Sequence, residues 1–181
     1  METHSIEIRR ARSSDATGIT AVHDAAWRYT YRGVLPGAEL ERMIARRGPG
    51  WWSRAISRRV SILVLDINDA VRGYVTFGSS RARSLPFRSE IYELYIQPEY
   101  SGLGFGTKLF QAAQARLARI GQGSLVVWTL ADNKDACAFY AKMGGRPVAT
   151  AEERFGETSV PKIAFGFDGK KKVRIVRHRT M

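Results

Sequence analysis

Ser101-Gly102-Leu103-Gly104-Phe105-Gly106-Thr107-Lys108 sets a glycine at every second position just ahead of Leu109, Ala113, Leu117 and Ile120, which recur at helical spacing. Glycines there let backbone N–H groups converge on an anion, and the N-terminus of the helix that follows favours a phosphate through its dipole and its unsatisfied donors. The expected ligand is phosphorylated. A Walker A loop needs Gly-Lys followed by Ser or Thr, whereas this chain has Gly106-Thr107-Lys108-Leu109. A dinucleotide fingerprint needs its third glycine where Thr107 stands and normally opens the first strand of a fold; only Asp132, after the next strand, speaks for it.

The loop is similar to the pyrophosphate-binding motif of the GNAT superfamily, the acetyl-CoA-dependent N-acetyltransferases, with Ser101 where that motif has Gln or Arg. Glu93-Leu94-Tyr95-Ile96-Gln97-Pro98-Glu99-Tyr100 resembles the strand before the family's loop. Asn133, Ala136, Phe139, Tyr140 and Gly144 resemble its later Asn…Ala…Phe-Tyr…Gly helix, and Ala26-Trp27 to Gly33-Val34-Leu35-Pro36 resembles the acceptor-side helices of bacterial members. The match runs from about Ile6 to Phe167. It implies an α/β fold with a mixed, mostly antiparallel sheet of six to seven strands flanked by helices. It also implies an N-acetyltransferase that moves acetyl from acetyl-CoA to a primary amine of an unknown small molecule or protein by direct attack in a ternary complex; no metal is expected.

Amide formation from a thioester needs a neutral amine, a polarised carbonyl and a proton for the departing thiolate. The resemblance gives the proton to Tyr140, the carbonyl to backbone N–H groups of Leu94, Tyr95 and Ile96, and the cofactor to Ser101, Gly102, Leu103, Gly104, Phe105, Gly106, Thr107, Lys108, Asn133 and Ala136. Asn133 is equally suited to capping its own helix. The base is Glu93, on the opposite pleat from Leu94 and Ile96, or Glu90; a bulge in the strand would reverse faces, so both stay open. Trp27 and Tyr31 are acceptor-pocket candidates along with Trp51 and Trp52, although large aromatics at such spacing more often form core. His23 reads as a packed or half-exposed histidine, Trp128 as packing, and Cys137 as a small buried side chain without a His partner.

Several elements must position these groups. Ile6 and Ile8 alternate as in a half-buried strand, and Ser13-Ser14-Asp15 precedes a helix carrying Ile19, Val22, Ala26 and Trp27. A second helix covers about Glu39 to Arg47, and Trp51 to Ser57 is ambiguous. Ser61 to Ile67 and Val71 to Phe77 form a hairpin about Asn68-Asp69. Ile91 to Ile96 and Leu125 to Leu130 are strands, each followed by a helix, and Val148 to Arg154 and Val160 to Phe167 close the chain as strands.

The chain has 181 residues, 44% of them hydrophobic, which suits one domain, here 1–168. The net charge is +12, and residues 169–181 carry Lys170, Lys171, Lys172, Arg174, Arg177 and Arg179 without an acid, so half the excess lies in a basic tail. Such a tail is commonly a solvated terminus; the rival reading is an arm for a polyanion. A nucleic-acid module ranks below the enzyme because no helix-turn-helix, zinc-finger or RNP pattern is present. A catalytically inactive acyl-CoA-binding sensor is the other alternative, and a homodimer stays open. Cys137, with only His4, His23 and His178, leaves no four-ligand Cys/His zinc site. No apolar run approaches the roughly 20 residues that span a bilayer, and Met1 to Ser5 lacks a secretory pattern, so the expected location is cytoplasmic, away from membranes.

Overall fold

Apolar residues on both faces of successive strands require helices on both sides of the sheet, and the computed structural model, which describes residues 5–169, supplies them. The strands are β1 (Ile6–Arg10), β2 (Ser61–Ile67), β3 (Ala70–Ser79), β4 (Ser89–Ile96), β5 (Leu125–Leu130), β6 (Arg146–Phe155) and β7 (Thr158–Phe167). The helices are α1 (Ala16–Tyr31), α2 (Gly37–Ala45), α3 (Pro49–Ser57), α4 (Phe105–Arg119) and α5 (Lys134–Lys142). The seven strands form one sheet in the order β1-β2-β3-β4-β5-β7-β6, antiparallel throughout except between β4 and β5. This is the mostly antiparallel mixed sheet that the sequence leads one to expect.

α4 buries Leu109, Phe110, Ala113 and Leu117 on one face of the sheet, against Leu63, Val75, Ile91 and Val127, and α5 adds Tyr140. On the other face α1 and α3 pack Ile19, Val22 and Trp52 against Ile62, Val64 and Tyr74. The β2–β3 turn is made by Asn68 and Asp69, both at positive φ, the backbone that a tight two-residue hairpin requires and that these residue types tolerate. The ambiguous Trp51–Ser57 segment is helical: Pro49 sits at its first turn, where a missing N–H costs nothing, and burial of Trp52 fixes its inner face. α2 begins two residues before the expected Glu39 and stops at Ala45.

Two irregularities of β4 position the site. Its register against β3 pairs Thr76 with Glu93 but Phe77 with Ile91, so Tyr92 is an extra, bulged residue. Ile91 and Leu94 consequently face the same α4 side, and Glu90 and Glu93 both face the α1–α3 side. β4 pairs with β5 only over Ser89–Ile91 with Leu125–Val127, while its other edge stays paired with β3 as far as Ile96. Beyond Ile91 the two parallel strands separate. The N–H and C=O groups that the end of β4 turns toward β5 are left without a strand partner. The basic residues Lys170 to Arg179 lie outside the described residues, as do His4 and His178.

Candidate active site

The separation of β4 and β5 opens a cleft of about 910 Å³. Leu94, Tyr95 and Ile96 form one wall, Trp128, Thr129 and Leu130 the other, and the ends of α1, α4 and α5 close it. Into this one space come Tyr31, Glu93, Ser101, Gly102, Gly104, Gly106, Thr107, Asn133, Ala136 and Tyr140. Other candidates point elsewhere. Leu103 is 64% exposed, Lys108 is exposed, and Phe105 packs toward the α4 core. Trp27 is buried against Tyr31 and His23.

The glycine loop has the conformation its residues permit. Gly102 and Gly104 are at φ +77° and +82°, and a Cβ at either would meet nothing within 4 Å, so backbone conformation rather than space calls for glycine. Gly104 is the N-cap of α4 and no side chain caps that end; the first backbone bond runs from Lys108 N–H to Gly104 C=O. The N–H groups of Phe105, Gly106 and Thr107 therefore have no partner within the helix. Open left-handed glycines, free helix donors and a long adjoining cleft fit a phosphorylated, elongated ligand such as a coenzyme A thioester.

Glu93 and Glu90 share a face but not an environment. Glu93 lines the cleft, accepts a hydrogen bond from Tyr74 Oη at 2.9 Å on Oε2, and accepts another from Arg47 Nη1 on Oε1. Glu90 is buried outside the cleft. Its carboxylate is taken by Arg81, through the backbone N–H at 2.8 Å and Nη2 at 2.7 Å. Tyr140 lines the cleft and packs among Phe110, Phe139 and Phe165, and burial raises its phenol well above the ordinary value, so the hydroxyl stays protonated at neutral pH. Asn133 Oδ1 accepts from Ala136 N–H at 3.1 Å, which makes it the cap of α5 and places it at the cleft together with that first turn. Tyr31 is likewise raised by burial, offset in part by a hydrogen bond from Tyr95.

Neighbours that no local pattern announced complete the site. Arg47 and Tyr74 hold Glu93 from 46 and 19 residues away, and Tyr29, Thr30, Trp128 and Asp132 line the cleft. Trp128 serves as more than packing, lining the cleft and carrying Lys162 Nζ at 5.0 Å over its ring. His23 is wholly buried. Burial lowers its pKa; a hydrogen bond with Asp24 opposes this and the charge of Arg47 reinforces it. Cys137 Sγ contacts the carbonyls of Leu130 and Ala131 at the end of β5. Among the described residues no group of three or more His, Cys, Asp or Glu is arranged to hold a metal, and no helix is long and apolar enough to cross a membrane.

The Acetyltransferase (GNAT) family matches the chain over residues 19–145. The uncharacterized N-acetyltransferase YuaI of Bacillus subtilis (strain 168) is 25% identical over 150 residues, covering 83% of this chain and 84% of that protein. PaiA N-acetyltransferase from Thermoplasma acidophilum, in complex with coenzyme A, has the same fold: TM-score 0.71, 20% identity, 87% of this chain and 98% of that one. An N-acetyltransferase from Staphylococcus aureus Mu50 superposes with a TM-score of 0.68 at 22% identity, over 91% and 98% of the two chains. Fold and site define an acyl-CoA-dependent acyltransferase. The family match spans well over half of the residues, and the chain belongs to the acetyltransferase (GNAT) family.

Proposed function

We propose that the protein transfers acetyl from acetyl-CoA to a primary amine by direct attack in a ternary complex. The observation that carries this reading is the opening between β4 and β5, which runs from the uncapped start of α4 to Glu93 and Tyr140. The loop from Ser101 to Thr107 and the first N–H groups of α4 hold the pyrophosphate. Backbone N–H groups on the open edge of β4, around Leu94 to Ile96, polarise the thioester carbonyl. The acyl donor supplies an activated carbonyl and a thiolate leaving group. An ammonium loses one proton to Glu93, the neutral nitrogen forms the C–N bond as the C–S bond breaks, and Tyr140 protonates the thiolate. The second amine proton leaves through Glu93 and solvent.

Glu93 is favoured over Glu90 as the base because it lines the cleft, whereas Glu90 is committed to Arg81 outside it. Tyr74 and Arg47 hold its carboxylate before an acceptor binds. The test is calorimetric titration with acetyl-CoA, followed by thiol release in the presence of a panel of amines. Micromolar binding and amine-dependent thiol release are expected. A folded protein that does not bind acetyl-CoA would refute the proposal.

A further inference from the structure

A second, smaller cleft of about 280 Å³ lies on the α1–α3 side of the sheet. Its floor is Trp52, Ala55, Ile62 and Thr76. Two arginines stand at its rim: Arg47 with its guanidinium 4.8 Å over the Trp51 ring, and Arg81 at 4.2 Å over the Tyr92 ring. This cleft and the larger one share two residues, Tyr92 and Glu93. They therefore meet at the bulge of β4, beside the carboxylate proposed as the base. A molecule seated in the smaller cleft is thus beside a residue that also lines the larger one.

The charges of this cleft are arranged in pairs. Arg47 donates to Glu93, and Arg81 donates through Nε and Nη2 to Glu90. A guanidinium has five donors, and these side-chain bonds use one on Arg47 and two on Arg81. The Arg81 side chain is 67% exposed and that of Arg47 34%, so both present N–H groups to an arriving ligand. Stacking on Trp51 and Tyr92 fixes their planes in advance. A simple amine entering here would take Glu93 from Arg47 and leave a cation without a partner, and a simple acid would leave its own charge excess beside Glu93. A zwitterion does neither: its ammonium exchanges with Arg47 on Glu93, and its carboxylate meets the released guanidinium. One internal ion pair is replaced by two across the interface, with no charge stranded. Apart from Thr76 the rest of the lining is aromatic and aliphatic, and the volume of about 280 Å³ lies just below the roughly 300–1,000 Å³ typical of ligand clefts.

We infer that the acceptor is a free α-amino acid with an apolar or aromatic side chain, bound in this cleft with its carboxylate on Arg47 and Arg81 and its amine on Glu93. This rests on the acetyl-transfer reading above. The reaction converts the amino acid ammonium and acetyl-CoA into the N-acetyl amino acid, coenzyme A thiol and one proton. The arginines are binding groups, and Glu93 receives the ammonium proton.

Thiol release from acetyl-CoA would be measured with three matched sets, the free acids phenylalanine, leucine and tryptophan, their amides, and the corresponding decarboxylated amines. kcat/KM for the free acids should exceed that for the other two sets by roughly 10- to 100-fold, the effect of hydrogen bonds to a charged group. In Arg47→Gln this ratio should fall toward one, mostly through KM, and Arg47→Lys should restore part of it. Taking the ratio within one variant removes any general loss of activity. If Arg47→Gln does not fold, Arg81→Gln gives the same readout. Equal or faster turnover of the decarboxylated amines overturns the inference, as does failure of every free acid while calorimetry shows acetyl-CoA bound. Loss of acetyl-CoA binding in the native protein would instead overturn the acetyl-transfer reading, and this inference with it.

Discussion

Tyr140 is the residue at which the proposed mechanism turns on a single atom. Its ring belongs to the core, packed on Phe110 and Phe165, and the residue also lines the cleft. Tyr140→Phe keeps the ring and removes the hydroxyl proposed as the proton donor. Turnover should fall about 10²–10⁴-fold with acetyl-CoA affinity unchanged, the usual signature of a positioned acid. Near-normal turnover in a folded variant would assign the proton to water or another group. The place of Tyr140 at the cleft was legible because its helix carries a compact local pattern from Asn133 to Gly144. Arg47 and Tyr74 were not, because nothing in the sequence around the Arg46-Arg47 pair after α2, or around a tyrosine in an apolar strand, says that Arg47 and Tyr74 both end on Glu93. Such contacts are set by how α2, α3 and the sheet stack, which local pattern does not encode.

At the scale of the element, β4 carries the information. Ile91, Leu94 and Ile96 are spaced by three and then by two, and that change of period is the sequence trace of the Tyr92 bulge. The spacing left Glu90 and Glu93 unresolved because a bulge can be placed at several positions without altering composition. The separation of β4 from β5 left no trace, since each strand reads as regular and only their mutual distance changes. The glycine loop was the reverse case, with a conformation dictated by residue type. At Gly104 φ is +82° and there is open space for a Cβ, so the cost of Gly104→Val starts from the left-handed backbone, at least about 1–2 kcal/mol. The start of α4 should shift to relieve that strain and carry its N–H groups off the phosphate. Acetyl-CoA affinity should drop at least about tenfold, which corresponds to roughly 1.4 kcal/mol, in a protein that still melts cooperatively. An unchanged Kd in folded Gly104→Val would remove the loop from the site.

Across the whole molecule, the sheet is covered on both faces and buries tyrosines on each, with Tyr74 on the α1–α3 side and Tyr140 on the α4–α5 side. Length and apolar content made one covered sheet foreseeable. The cost of enclosing phenols in it depends on which tyrosines face inward, and that needed the packing. Burial raises the pKa of Tyr31, Tyr74 and Tyr140, and Tyr95 is also raised by burial beside the phenols of Tyr31 and Tyr74. In the unfolded chain the same phenols ionise near about pH 10. Above that pH the unfolded state has released protons that the folded state still holds, so the folded state binds more and stability must fall as pH rises. Below it both states are protonated and these groups contribute no slope. The enclosed tyrosines supply this slope. Urea midpoints measured from pH 8 to pH 11.5 should be flat up to about 9 and then decline steadily. In Tyr140→Phe the alkaline decline should be shallower, because one buried phenol has been removed. A flat profile to pH 11.5 would mean that these hydroxyls reach solvent in the folded protein, and Tyr140 would then lack the sheltered, protonated state on which its role as a proton donor depends.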